Sequence, residues 1–133
     1  MMFLLKEEPA NFSFDAFVRD GGATWTGVRN PLAQKHLRSI RTGDLAFYYH
    51  TGDEKAVVGI VKATGDAYPD PADKTGKAHV VDLVPVKKLR NPVTLAAIKA
   101  DKRFADFLLT YMPRLSVMPV TDKQWAMIVK MSE

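Results

Sequence analysis

The run from Ala56 to Ala63 constrains the fold most, because nearly every residue in it is apolar. Such a run predicts a central strand that is buried on both faces of a sheet. The aromatic-rich run Leu45–His50 precedes it and also favours a strand. Residues 78–89 predict a further strand, and Pro85 inside it indicates an edge position or a bulge. The chain is therefore expected to form a sheet around residues 56–63.

Short helices are predicted between these strands. Ser13, Thr94 and Thr121 are typical N-caps, and Asn30 followed by Pro31 is typical of a helix start. Strands and helices do not alternate regularly, which disfavours a parallel α/β sheet. The expected fold class is α+β: a small, curved, mainly antiparallel sheet or open barrel with short helices at its ends. The length of 133 residues predicts a single domain over residues 1–133.

The composition excludes some function classes. There are no cysteines, so disulfides, thiolate chemistry and cysteine-based zinc sites are excluded. The apolar N-terminus is too short for a signal peptide or a membrane span. We expect no cofactor, no metal and no membrane partner. A cytoplasmic monomer is expected, with association with the nucleoid as a further expectation.

The charge distribution points weakly to an anionic partner. The formal net charge is +4. Between Arg29 and Gly43 the basic residues have no acidic neighbours, and these residues are Arg29, Lys35, Arg38 and Arg41. A second basic run comprises Lys87, Lys88 and Arg90. Each run is either a solvated face or a surface that contacts phosphates; alone, neither decides between the two.

The stretch Thr24–Pro31, called the recognition segment below, concentrates side chains suited to binding a nucleobase. Trp25 offers a flat aromatic face, and Asn30 carries both a hydrogen-bond donor and an acceptor. The polar, glycine-flanked context predicts an exposed Trp25 that forms a stacking wall; the alternative is a core tryptophan, as predicted for Trp125. Asn30 either reads a base or serves only as the cap of the helix that starts at Pro31.

Six motifs in order resemble the EVE domain family, over almost the entire chain. They are Phe3–Pro9 (FLLKEEP), Trp25–Asn30 (WTGVRN), Gly43-Asp44 with Tyr48–His50, Ala67–Pro71 (AYPDP), Arg90–Leu95 (RNPVTL) and Arg114–Val120 (RLSVMPV). This resemblance implies a PUA-like pseudobarrel related to the YTH readers of methylated adenine. It also implies a non-catalytic domain that binds a modified base, with 5-methylcytosine and its oxidised forms as leading ligands. Phe3 and Glu7 stand where the family usually has Trp and Ser.

The resemblance also implies which residues line the pocket. They are Lys6, Trp25, Asn30, Tyr49, His50, Ser116 and Pro119. Several of these have structural alternatives: a solvated lysine for Lys6, a hydrogen-bonded structural histidine for His50 and a strand cap for Ser116. Tyr68, in the long polar loop after the central strand, is either a lid over the pocket or a loop anchor.

Three other functions remain open from the sequence. An enzyme is disfavoured, because the three histidines are dispersed and Glu7 and Glu8, being adjacent on a strand, face opposite ways. An RNA-binding module for modified tRNA or rRNA bases is the main alternative to a DNA reader. A nucleotide- or small-ligand-binding or interaction protein is the second.

Overall fold

The structure is a computed structural model that describes residues 1–133. Its strands are β1 (Met2–Glu7), β2 (Ala23–Trp25), β3 (Leu45–His50), β4 (Ala56–Ala63), β5 (Tyr68–Pro69), β6 (His79–Thr94) and β7 (Val117–Val120). Its α-helices are α1 (Pro9–Phe12), α2 (Phe14–Arg19), α3 (Pro31–Arg38), α4 (Leu95–Ala100), α5 (Leu108–Tyr111) and α6 (Asp122–Met131), with a 3₁₀ turn at Lys102–Phe104.

The strands form one curled sheet in the order β2-β6-β4-β3-β1-β7, and β5 pairs with β6. All pairings are antiparallel except that of β1 with β3. The sheet is a half-barrel, and α3 packs against β7 at one edge and against β6 near the other. The predicted α+β class with an open, mainly antiparallel barrel is confirmed.

The barrel interior is filled by aromatic rings. Tyr48 is fully buried and lies edge-on to Phe14, with ring centroids 5.2 Å apart. Gly59, opposite Tyr48 in β4, leaves room for Phe14, because a Cβ at Gly59 would lie 2.4 Å from the ring. On the other face of β3, Phe47 stacks on Trp125 of α6 at 3.8 Å. Phe47 and Tyr48 therefore point to opposite faces of β3.

The predicted helix starts are confirmed. The side chains of Ser13, Asn30, Thr94 and Thr121 all accept a backbone N–H in the first turn of the following helix. These are local contacts, so the sequence alone is enough to predict them. Pro85 lies at a register shift between β4 and β6, where it faces Val61. The bulge interpretation of Pro85 is therefore right, and the edge interpretation holds locally as well, because β2 pairs only with residues 81–83 of β6 and β4 is the one partner at Pro85.

Two short segments contain helical turns of their own. Pro9 begins α1, with the Glu8 side chain accepting the N–H of Ala10. The segment after α4 contains a 3₁₀ turn and the separate helix α5. Phe104 and Phe107 are both buried there.

Candidate functional site

The recognition segment runs from β2 to the first turn of α3. Trp25 ends β2, where it pairs with Val81 of β6. Gly27 has φ 77°, a conformation that favours glycine, and turns the chain away from the sheet. Asn30 then caps α3, its Oδ1 accepting the N–H of Ala33 at 3.0 Å. The segment therefore joins the sheet edge to the helix that crosses the open side of the barrel.

The sequence predicted an exposed Trp25, but the structure buries it. Its side chain is 5% exposed, and its ring lies edge-on to Tyr48 with centroids 5.4 Å apart. The reason is the alternation of β2, in which Thr24 faces solvent and Trp25 faces the barrel interior. Stacking of a base on Trp25 stays a prediction.

A buried glutamine fastens the recognition segment to the sheet. Gln34 of α3 is 7% exposed. Its Nε2 donates to the carbonyl oxygens of Val28 at 2.7 Å and His79 at 3.2 Å, and its Oε1 accepts the N–H of His79 at 2.9 Å. One side chain thus holds together the segment, α3 and the start of β6. The sequence gives no sign of this role of Gln34, since its partner His79 lies 45 residues away.

A cleft of about 650 Å³ lies beside the recognition segment, between α3 and the loop before β6. Its basic lining residues are Arg29, Arg38, Lys77 and His79. Asp70 and Asp73 also line it, but their carboxylates accept hydrogen bonds from within the loop, including the Ala78 N–H to Asp73 at 2.8 Å. These bonds lower the pKa of Asp73. The cleft therefore combines two carboxylates with the cations Arg29, Arg38 and Lys77, so the cations are in excess.

The predicted phosphate contacts divide into two pairs. Arg29 and Arg38 line this cleft, while Lys35 and Arg41 do not. Lys35 is exposed on α3. The Arg41 guanidinium donates to the carbonyl oxygens of Arg38 at 2.7 Å and Ile40 at 3.1 Å, so it stabilises the end of α3. Phosphate contacts by Lys35 and Arg41 stay predictions.

Three predicted pocket residues lie together at the end of β1. The backbone N–H of Lys6 donates to the Ser116 carbonyl at 2.9 Å. Its ammonium lies 5.6 Å from the centre of the Tyr49 ring and donates to the Pro113 carbonyl at 3.0 Å. Burial lowers the pKa of Lys6 and raises the pKa of Tyr49 to about 12. Lys6 is therefore fixed in place, unlike a solvated lysine.

Lys6 and Trp25 contact opposite faces of β3. Lys6 lies on Tyr49, whereas Trp25 packs on Tyr48, and successive residues of a strand point to opposite sides. Asn30 is closer to the Lys6 side, because it lines a depression with Pro113, the residue that Lys6 contacts. The structure thus separates Trp25 from the other predicted pocket residues that lie near Asn30, which are Lys6, Tyr49 and Ser116.

His50 belongs to the scaffold. Its Nε2 accepts the N–H of Phe14, at the start of α2, at 3.0 Å, and its Nδ1 lies 2.7 Å from the Glu54 carboxylate. The first N–H groups of a helix have no partner within the helix, and His50 supplies one. Both ring nitrogens are occupied, which supports the structural alternative for His50, and a contact of His50 with a base stays a prediction.

Pro119 and Tyr68 lie away from the pocket that Lys6, Tyr49 and Ser116 were expected to form. Pro119 pairs with Phe3 and lines a separate depression with Met1 and Met2, at the opposite end of β1 from Lys6. Its distance from Lys6 follows from the antiparallel pairing of β7 with β1. Tyr68 pairs with β6 and donates its hydroxyl to Asp82 at 2.9 Å. These are the contacts of a loop anchor, the alternative to a lid.

Glu7 is half-buried at the end of β1. Its Oε1 accepts the N–H of Glu8 at 2.9 Å, and burial raises its pKa. No group of three or more His, Asp or Glu side chains is arranged to hold a metal ion. None of the helices is long and apolar enough to span a membrane.

Comparison with known proteins gives consistent matches. An EVE domain family profile matches residues 1–131. A Rhodopseudomonas palustris protein solved by NMR is 47% identical, with 98% of this chain and 92% of that chain covered and a TM-score of 0.93. Human thymocyte nuclear protein 1 was crystallised in complex with DNA containing 5-methylcytosine. It is 26% identical, with 99% of this chain and 97% of that chain covered and a TM-score of 0.87.

Full-length relatives are longer than this chain. Thymocyte nuclear protein 1 of Gallus gallus is 28% identical in an alignment 165 positions long, which covers 98% of this chain and 68% of that protein. The human protein is 27% identical in an alignment 132 positions long, which covers 82% of this chain and 59% of that protein. The matches in structure confirm the expected PUA-like α+β fold.

Proposed function

Because the chain belongs to the EVE domain family, we propose that it is a non-catalytic module that binds nucleic acid carrying a modified base. The leading ligands are 5-methylcytosine and its oxidised forms in DNA. The observation that carries the proposal is the match over the whole fold to a human protein in complex with DNA containing 5-methylcytosine. The surface charge supports it, since a basic cleft adjoins the recognition segment.

Arg29, Arg38 and Lys77 hold the phosphates that flank the bound base. Contacts of this kind position the nucleic acid but carry no sequence information. The two aspartates of the cleft accept hydrogen bonds from their own loop, and the three cations outnumber them. Cationic side chains alone would bind any anion. The adjoining recognition segment supplies the side chains that contact a base.

The modified base is read at the recognition segment. The Asn30 Oδ1 is used by the helix cap, which leaves the Nδ2 donor for a ligand. Trp25 is the stacking partner. Because its side chain is 5% exposed, a base reaches its face only when neighbouring groups move aside. Flipping a base out of the stack costs a few kcal/mol, and stacking on an aromatic ring returns about 1–3 kcal/mol.

The expected preference for a methylated base is modest. One buried methyl group contributes about 0.8 kcal/mol, or about fourfold in affinity. A larger preference requires steric exclusion or a hydrogen bond to an oxidised substituent. Glu7, half-buried at the end of β1, is an acceptor that an exocyclic amine of cytosine would suit.

Binding titrations at several salt concentrations test the proposal. The probes are single- and double-stranded DNA, and RNA, with a central cytosine, 5-methylcytosine, 5-hydroxymethylcytosine or N6-methyladenine. A modified base should bind more tightly than its parent base. Trp25→Phe and Trp25→Ala should reduce this preference, with circular dichroism to confirm that each variant is folded, because Trp25 is buried.

Helix α3 offers a substitution that tests the phosphate contacts and a matched control for it. Arg38→Ala removes a cleft residue, whereas Lys35→Ala removes the same charge outside the cleft. Arg38→Ala should lower the slope of log affinity against log salt by about 0.7–0.9, the value of one phosphate contact, and Lys35→Ala should change it less. Equal affinity for every base would refute modified-base recognition. Tighter binding of RNA than of DNA would assign the site to RNA.

A further inference from the structure

A second depression, of about 290 Å³, lies on the other side of the α3 start from the basic cleft. Asn30, Leu32, Tyr111, Met112, Pro113, Arg114 and Leu115 line it. Tyr111, the last residue of α5, is 57% exposed and Leu32 is 36% exposed. Two of the large apolar side chains that the fold leaves exposed therefore face one shallow site, and the Tyr111 ring is available for contact.

The polar groups of this depression are donors. Arg114 is exposed and makes no ion pair, and the Asn30 Nδ2 has no partner. No carboxylate lines the depression. The Lys6 ammonium adds positive charge nearby through its contact with the Pro113 carbonyl. A flat aromatic face with cationic groups and no acid matches a nucleotide, whose base stacks and whose phosphate is anionic.

The basic cleft and the second depression are lined by adjacent residues of the chain. Pro31 lines the basic cleft and Asn30 lines the second depression, so the start of α3 is the ridge between them. A nucleic-acid strand bound at the recognition segment and held by Arg29 and Arg38 would pass from one to the other across this ridge. This favours a nucleotide of the same strand as the occupant, over an unrelated ligand.

We propose that Tyr111 is a stacking platform for an unpaired nucleobase adjacent to the modified base, and that Arg114 binds the phosphate of that nucleotide. This inference rests on the proposed function and adds a second base site to it. The sequence gives no sign of the site, because Tyr111 lies in the apolar run Phe107–Met112, which resembles core. In the structure Leu109 is the buried residue of α5, and Tyr111 lies on its exposed side.

The test measures the affinity of wild type, Tyr111→Ala and Tyr111→Phe for a single-stranded DNA with one central 5-methylcytosine. Val86→Ala is the matched control, because Val86 is 50% exposed on β6 and outside the depression. Tyr111→Ala should weaken binding by about 5- to 150-fold, the range that corresponds to stacking of one base. Tyr111→Phe should bind as wild type, because the ring face is kept.

Two further measurements separate stacking from charge. Tyr111→Ala should leave the salt dependence unchanged, whereas Arg114→Ala should lower its slope by about 0.7. An abasic nucleotide next to the modified base should weaken binding of wild type but not of Tyr111→Ala.

The outcomes distinguish this inference from the proposed function. If wild type binds the oligonucleotide and Tyr111→Ala binds equally well, the stacking platform is refuted and the proposed function stands. The platform is also refuted if Val86→Ala, or Tyr111→Phe, weakens binding as much as Tyr111→Ala. If wild type binds no oligonucleotide, both proposals fall.

Discussion

Gln34 is the residue whose substitution should most directly release the recognition segment. The change Gln34→Met keeps the length of the side chain but removes both polar atoms. It leaves the carbonyl of Val28 and both backbone groups of His79 without their side-chain partner. Because the substitution is nearly isosteric, the effect should come from hydrogen bonding and not from a cavity.

The magnitude follows from the three hydrogen bonds. Each contributes about 0.5–1.5 kcal/mol net, and buried groups left without a partner add a desolvation cost. Gln34 is 7% exposed, so water replaces the lost bonds only in part. We expect the free energy of unfolding to fall by about 2–4 kcal/mol. At about 2.1 cal/mol/K per residue for the entropy of unfolding, this corresponds to a Tm about 7–14 °C lower.

Urea denaturation of wild type and Gln34→Met, followed by circular dichroism, measures this difference. Gln124→Met is the matched control. Gln124 is also 7% exposed, but its side chain accepts a single hydrogen bond, from the Thr121 N–H in the capping box of α6. Its loss should cost about 0.5–1.5 kcal/mol. Affinity for a modified oligonucleotide should fall for Gln34→Met and not for Gln124→Met.

Two results would contradict the reasoning. A change in the free energy of unfolding below about 0.5 kcal/mol for Gln34→Met is the effect of an ordinary surface substitution, and would mean that these hydrogen bonds contribute nothing net. Equal losses for Gln34→Met and Gln124→Met would mean that the number of hydrogen bonds does not set the cost.

Two further substitutions test the packing and the charge of the interior. Gly59→Ala should lower the free energy of unfolding by about 1–3 kcal/mol in a denaturation experiment, because its Cβ would lie 2.4 Å from the Phe14 ring; Gly65→Ala, with open space around it, should be close to neutral and is the control. Tyr49→Phe should lose less stability than wild type above pH 10, because the phenol of unfolded Tyr49 ionises near 10 while burial raises the pKa of folded Tyr49 to about 12. The extra stability from the neutral phenol is complete below pH 10 and is lost up to pH 12; identical pH profiles for the two proteins would contradict it.

The sequence predicted features that depend on near neighbours. The caps at Ser13, Asn30, Thr94 and Thr121 each join atoms within one helical turn, and all four are present. The apolar runs predicted β3 and β4 correctly, because burial on both faces shows directly in composition. The resemblance to the EVE domain family, which rested on motifs in order, is confirmed over residues 1–131.

The candidate site was predicted less well, since its members meet through long-range pairing. The polar neighbours of Trp25 indicated exposure, but a strand of three residues alternates and turns the ring inward. His50 looked available until the start of α2 occupied one of its ring nitrogens. Lys6, Tyr49 and Ser116 do lie together, as the resemblance implied.

The sequence by itself determined the helix starts, the central strands, the family and the basic character of the stretch from Arg29 to Arg41. These depend on local backbone chemistry and on the distribution of apolar and charged residues. The tertiary structure alone decided that Gln34 fastens the recognition segment to His79, that Arg29 and Arg38 rather than Lys35 face the cleft, and that Tyr111 stays exposed. The physical reason is that hydrogen bonds and burial at these positions are set by partners distant along the chain, which only the closure of the half-barrel brings into contact.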